Sequence, residues 1–166
     1  MQDIRWLLMG KRQPCIWFPV VFCEKIQSVL FCCDLNSVRS PMAEGICKLH
    51  YGYSIFVQSA GVLSNTEIDP FAVDVCEEIG VTLKKHKSRT FKEMEAWGDD
   101  ISSFDLIIAL SPASQRHALE YTRYFSLKIE YWSILDPVDI GDTRNAKLNA
   151  YRTTRDQILK NIKKRF

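Results

Sequence analysis

From residue 27 onward, the apolar positions switch repeatedly between short unbroken runs and a spacing of three to four. Residues 27–33 hold Val29, Leu30, Phe31 and two cysteines with no charge among them, as a buried strand would. Residues 41–51 follow, with Met42, Ile46 and Leu49 at helical spacing and Gly52 as the stop. Residues 53–59 read as a second strand and 61–69 as a polar loop. Asp69-Pro70 opens a second helix that carries Phe71, Val75, Cys76 and Ile79 on its apolar side and ends at Gly80. A basic loop and a stretch of mixed character over 91–101 come next. The apolar run 104–110 is then a third strand, covered on both faces. Ser111-Pro112 begins a helix reaching to about residue 124. Residues 127–132 make the last strand, and Thr143 opens a long terminal helix along Ala146, Leu148, Tyr151, Ile158 and Ile162. Strands that alternate with helices predict a three-layer α/β fold, a four-stranded parallel sheet flanked by helices and joined by right-handed crossovers. Ligands of such sheets lie beyond the carboxyl ends of the strands. That rule puts the loops after Cys33 and Ser59, together with Ser111 and the Asp136 loop, on one rim.

The richest of these loops joins the first strand to the first helix. It begins at Cys33 and ends at Arg39, with Asp34, Leu35, Asn36, Ser37 and Val38 between them. Ser40-Pro41 reads as the helix start, Ser as N-cap and Pro at the first helical position. A strand that runs through a tight loop into a helix N-terminus aims several backbone N–H groups at one point and makes an anion site. A cysteine at the base of that loop is favoured as thiolate over thiol. An arginine at its end offers a planar fork of donors to a tetrahedral oxyanion. Asn36 supplies the residue type that tolerates φ > 0, which a loop folding its N–H groups inward needs. Of the six cysteines, Cys33 alone has an arginine six positions on. The pattern predicts a phosphate loop after the first strand with a nucleophile at its base.

Composition narrows the picture further. A chain of 166 residues, 46% hydrophobic and 25% charged, is a one-domain length with ordinary globular balance. A net charge of +2 and the lack of a long basic run give no footprint for nucleic acid. Lys84, Lys85, His86, Lys87, Arg89 and Lys92 are locally basic, a solvated loop in the first instance. Cys32 and Cys33 are adjacent, Cys47 and Cys76 fall in helical stretches, and no Cys-x2-Cys pair gives metal spacing. A reduced, cytoplasmic protein without a cofactor follows, as a catalytic thiolate requires. Cys32 should point away from Cys33 into the core, because alternation flips faces along a strand. His50, His86 and His117 read as satisfied or exposed side chains.

The chain divides into an N-terminal extension over residues 1–26 and a domain over 27–166. Residues 16–23 are apolar but interrupted by Pro19 and too short to span a bilayer, and they lack the cleavage site of a signal peptide. Three readings of the extension stand: a packed segment, a disordered tail, or residues upstream of the true start, with the dispensable readings preferred.

Cys33-x-x-Asn36-x-x-Arg39-Ser40-Pro41-Met42-Ala43-Glu44 resembles the signature of the low-molecular-weight protein tyrosine phosphatases and the related arsenate reductases. Ser59-Ala60-Gly61, Gly80-Val81, His86-Lys87-Ser88-Arg89, the 104–108 run and Asp136-Pro137 fall in the family's order, so the likeness covers about 27–166. It implies a phosphatase that hydrolyses phosphate monoesters, of phosphotyrosine in proteins or of small phosphate esters, through a cysteinyl intermediate on Cys33. Arg39 and the loop from Asp34 to Val38 would bind the oxyanion, Ser40 would donate to the thiolate, and Asn36 would brace the loop. Asp136 would be the general acid and then the base, with Asp139 and Asp142 as nearby rivals. Leu35 stands where the family carries Gly, which makes φ > 0 costly there. Asp34 is expected to face solvent. Val138-Asp139-Ile140 replaces the aromatic residues that wall the family's phenyl pocket. Two alternatives remain beside hydrolysis. One is an arsenate reductase that borrows a small thiol or recruits Cys47 or Cys76. The other is a catalytically silent oxyanion- or phosphopeptide-binding module.

Overall fold

A computed structural model describes residues 25–63 and 67–166. The N-terminal extension, apart from Lys25 and Ile26, lies outside the described residues. The elements follow as β1 (Ser28–Cys33), α1 (Arg39–Tyr51), β2 (Phe56–Gly61), α2 (Pro70–Glu77), α3 (Phe91–Ala96), a 3₁₀ turn (Ile101–Ser103), β3 (Leu106–Ala109), α4 (Pro112–Tyr121), β4 (Lys128–Tyr131) and α5 (Arg144–Arg165). The four strands form one parallel sheet in the order β2-β1-β3-β4. Cys33 lies opposite Gly61, Cys32 opposite Ala109, and Ala109 opposite Tyr131, so the carboxyl ends of all four strands share one edge.

The sheet is packed on both faces, and strand alternation decides which residue goes where. Val29, Phe31 and Cys33 face a core shared with Met42, Ile46, Val75, Tyr151, Ile158 and Ile162 of α1, α2 and α5. Leu30 and Cys32 face the opposite core, with Phe91, Met94, Ile107 and Ala118. The two neighbouring thiols therefore belong to different layers. β3 sits between two other strands and is buried along its whole length, which its unbroken Leu-Ile-Ile-Ala run requires.

Several boundaries move from their predicted places for local reasons. β2 starts at Phe56, because Ser54 and Ile55 spend their N–H groups on the carbonyl of Tyr51 to turn the chain out of α1. α2 stops at Glu77. Gly80, at φ 80°, lets Val81 N–H return to the carbonyl of Cys76 and close the helix end. The mixed stretch after residue 90 becomes α3, started by a capping box in which Thr90 and Glu93 exchange hydrogen bonds. α4 and β4 are shorter than the apolar pattern suggests. Ser40 is not the N-cap of α1. The helix begins at Arg39 after Val38, with no side-chain cap, and Ser40 lies within its first turn with its hydroxyl turned to the site.

Candidate functional site

The loop from Asp34 to Val38 closes over the end of β1, and one buried side chain holds its shape. Asn36 is fully buried and sits at φ 52°, the one non-glycine residue with positive φ among those described. Its amide nitrogen donates to Ser40 Oγ and Ser59 Oγ, both at 2.8 Å. Its carbonyl oxygen accepts from the Arg89 N–H at 3.0 Å and faces His86 Nε2 at 3.3 Å. Its backbone oxygen accepts from Ser88 Oγ at 2.8 Å. Leu35 therefore escapes the conformation its side chain would resist, because the left-handed step falls on Asn36 instead.

This network also reaches the sulfur. Ser40 Oγ accepts from Asn36, and its own proton is free to go to Cys33 Sγ, 3.0 Å away, or to the Ala60 carbonyl at 3.4 Å. The shorter contact runs to the sulfur, and such a bond strengthens when the acceptor carries charge. Below, Ser59 Oγ donates to Glu44 Oε2, and Glu44, almost wholly buried, is offset by Lys48 and lies 3.5 Å from His86 Nδ1. Burial lowers the affinity of His86 for its second proton and outweighs the pull of Glu44 in the other direction. His86 is thus satisfied, as predicted, but it stands under the loop, which the sequence reading missed.

The other walls come from neighbouring strand ends. Gly61 ends β2 so close to the loop that a Cβ there would lie 2.9 Å from both Asn36 N and Leu35 C. Ser37 accepts at its carbonyl from the N–H of Asp69, the N-cap of α2, and Tyr151 of α5 donates to the Asp69 carboxylate at 2.9 Å. Val38 is buried beneath α1.

Arg39 is buried, and its guanidinium reaches across the rim. Nη1 donates to the carbonyls of Leu110 and Ile134, at 3.3 and 3.2 Å, just beyond the ends of β3 and β4. Nη2 meets two carboxylates, Asp34 Oδ2 at 2.5 Å and Asp136 Oδ2 at 2.8 Å. Asp136 steadies its own turn by accepting from the Val138 N–H at 3.2 Å. A buried guanidinium needs such partners to offset its desolvation. Asp34 departs from its predicted orientation. It does not turn to solvent, because Arg39 holds one oxygen and Ser111 Oγ donates to the other at 2.7 Å. Of the rivals to Asp136, Asp142 lines a separate cavity with Asp74 and Lys147.

The basic stretch splits three ways. Lys84 pairs with Glu77, and Arg89 is built into the support beneath the loop through Ser59, Gln58 and Asp99. Lys85 and Lys87 line a cleft of about 390 Å³ with Lys48, His86 and Trp97, on the outer side of the network. The remaining described thiols are buried: burial pushes Cys47 and Cys76 up to about 12, and Cys32 higher still. Among the described residues no helix is long and apolar enough to cross a membrane.

A parallel sheet covered by helices on both faces thus carries the Cys33–Arg39 loop between β1 and α1, at the carboxyl edge of the strands. The family model for low molecular weight phosphotyrosine protein phosphatase matches residues 28–166, and the chain belongs to that family. An arsenate reductase of Bacillus licheniformis is 30% identical over 139 residues, covering 83% of this chain and 94% of that protein. A probable low molecular weight protein-tyrosine-phosphatase, EpsP, of Ralstonia nicotianae is 26% identical over 143 residues, covering 82% and 92%. Among solved structures, an arsenate reductase in its phosphate-binding state matches with a TM-score of 0.66 at 26% identity, over 84% of this chain and 95% of that one. Relatives thus carry both chemistries on this fold.

Proposed function

We propose that this protein hydrolyses phosphate monoesters, phosphotyrosine in proteins above all, in two steps through a cysteinyl phosphate. Cys33 Sγ attacks phosphorus, the P–O bond to the leaving group breaks, and Asp136 gives that oxygen a proton. Arg39 turns its donors to the equatorial oxygens, which the loop's N–H groups also face, and Ser40 donates to the sulfur as it leaves in the second step. Water then attacks phosphorus, Asp136 takes its proton, and the S–P bond breaks to release phosphate and the thiolate. A reducing compartment, the cytoplasm, suits such a sulfur.

The observation that carries this reading is the Asp136 carboxylate 2.8 Å from the Arg39 guanidinium. Binding alone needs no acid there. A second carboxylate from the far side of the sheet weakens an anion site unless it has a proton to deliver. Arsenate reduction on the same loop is favoured by the names of relatives such as the Bacillus licheniformis protein. It needs further thiols, and Cys47 and Cys76 are fully buried while the start of α4 reads Ser111-Pro112-Ala113-Ser114. Among the described residues no thiol is placed for that relay, and a reductase limited to them would depend on an external small thiol. Assays of p-nitrophenyl phosphate hydrolysis and thiol-coupled arsenate reduction, side by side on wild type and Cys33→Ser, separate the readings. Hydrolysis lost with Cys33 supports the phosphatase. Arsenate turnover with little hydrolysis supports the reductase, and phosphate binding without turnover supports a silent module.

A further inference from the structure

The mouth of the loop carries more negative charge than oxyanion binding requires. Asp136 has a task in the proposed reaction; Asp34 has none. Yet Asp34 is anchored at both oxygens, by Arg39 Nη2 and by Ser111 Oγ. Ser111 is itself buried and fixed at the start of α4 by its exchange of hydrogen bonds with Ser114. With 36% of its side chain exposed, Asp34 presents one flank to whatever enters.

An arriving phosphoryl group changes this balance in a definite way. Arg39 Nη2 donates to Asp34 and lies 2.8 Å from an Asp136 oxygen. A phosphate oxygen that takes up that nitrogen competes with both carboxylates. Asp34, still tied to Ser111, is then left beside a dianion without its cation. A substrate whose own positive charge sits next to the phosphorylated side chain refills the vacated place. A neutral neighbour does not, and an acidic one adds repulsion.

We propose that Asp34 is a specificity-determining residue that selects phosphorylated peptides with Arg or Lys beside the phosphoresidue and disfavours those flanked by Asp or Glu. This rests on the phosphatase reading above. Because recognition is by charge at a partly exposed carboxylate, it weakens as ionic strength rises.

The test uses three phosphotyrosine peptides that differ only in the residue next to phosphotyrosine, Arg, Gln or Glu. The full chain and its Asp34→Asn and Asp34→Glu variants hydrolyse each, with inorganic phosphate as a competitive inhibitor. In wild type kcat/KM falls in the order Arg, Gln, Glu, by about tenfold across the series at low salt. Asp34→Asn compresses that series to about twofold and is inhibited more strongly by phosphate, while Asp34→Glu keeps the order. Should Asp34→Asn fail to fold, the wild-type series must still collapse as salt is added. A wild type that hydrolyses p-nitrophenyl phosphate through Cys33 but treats the peptides alike overturns the role of Asp34 and leaves the phosphatase standing. So does an Asp34→Asn variant with the full series intact. A wild type that hydrolyses neither p-nitrophenyl phosphate nor any peptide overturns both.

Discussion

At the scale of single residues, the site is a chain of hydrogen bonds whose directions follow from what each group can donate. Asn36 spends both amide protons on Ser40 and Ser59, which leaves the Ser40 proton for the sulfur or for the Ala60 carbonyl. Ser40→Ala removes that donor and is expected to lower kcat about tenfold or more while KM changes little, read by steady-state hydrolysis of p-nitrophenyl phosphate. Asp136→Asn keeps the shape of the turn but has no proton to give. Its kcat should fall about a hundredfold or more on phenyl phosphate and less on p-nitrophenyl phosphate, whose leaving group needs the acid less. Much of this was legible in the sequence. The Cys33-to-Arg39 spacing, the Asn at the left-handed step and the Asp-Pro after the last strand each name a residue that lies at this loop. The position of Asp34 was not legible, because its partner Ser111 lies 77 residues away and a loop carboxylate reads by default as solvated. The roles of His86 and Glu44 escaped for the same reason: both stand in segments that carry the resemblance, but only the fold brings them under Asn36.

At the scale of elements, parallel register gathers the site. Four strand ends on one edge place Cys33, Gly61, Leu110 and Ile134 around one loop, and Arg39 reads the last two through their carbonyls. Alternating strand and helix patterns disclose this parallel sheet from the sequence, since period and order are properties of the chain itself. Element ends were less legible. Where α1 begins depends on what the Ser40 hydroxyl bonds, and that partner is a sulfur on another element. Gly61 tests the packing of β2 against the loop. Gly61→Ala places a methyl group against backbone atoms of Leu35 and Asn36, which cannot swing aside as a side-chain tip would. The expected outcome is a loss of about 1–3 kcal/mol in chemical denaturation, with activity falling further than stability because the loop itself must shift.

At the scale of the whole molecule, α5 ties the layers together. Glu78, just past α2, bonds Arg152 and Arg155, and these partners hold its carboxyl down at about 2. A carboxyl depressed on folding contributes stability that is present above its ordinary range near 4.5 and is lost as pH falls toward 2. His86, whose folded form resists protonation, adds a cost that begins as pH drops below its ordinary value of 6.5. Thermal melting from pH 8 to 2 should therefore show a decline starting near pH 6.5, and Glu78→Gln should flatten the part below pH 4.5 while leaving the upper part in place.

The most direct measurement of the central claim is rapid-quench mass spectrometry of the Asp136→Asn enzyme mixed with p-nitrophenyl phosphate, followed by digestion and mapping. Two-step transfer predicts a phosphoryl group on the Cys33 peptide, formed and consumed at the rate of turnover. Phosphoryl transfer to another residue, or undiminished turnover after Cys33→Ser, would contradict it.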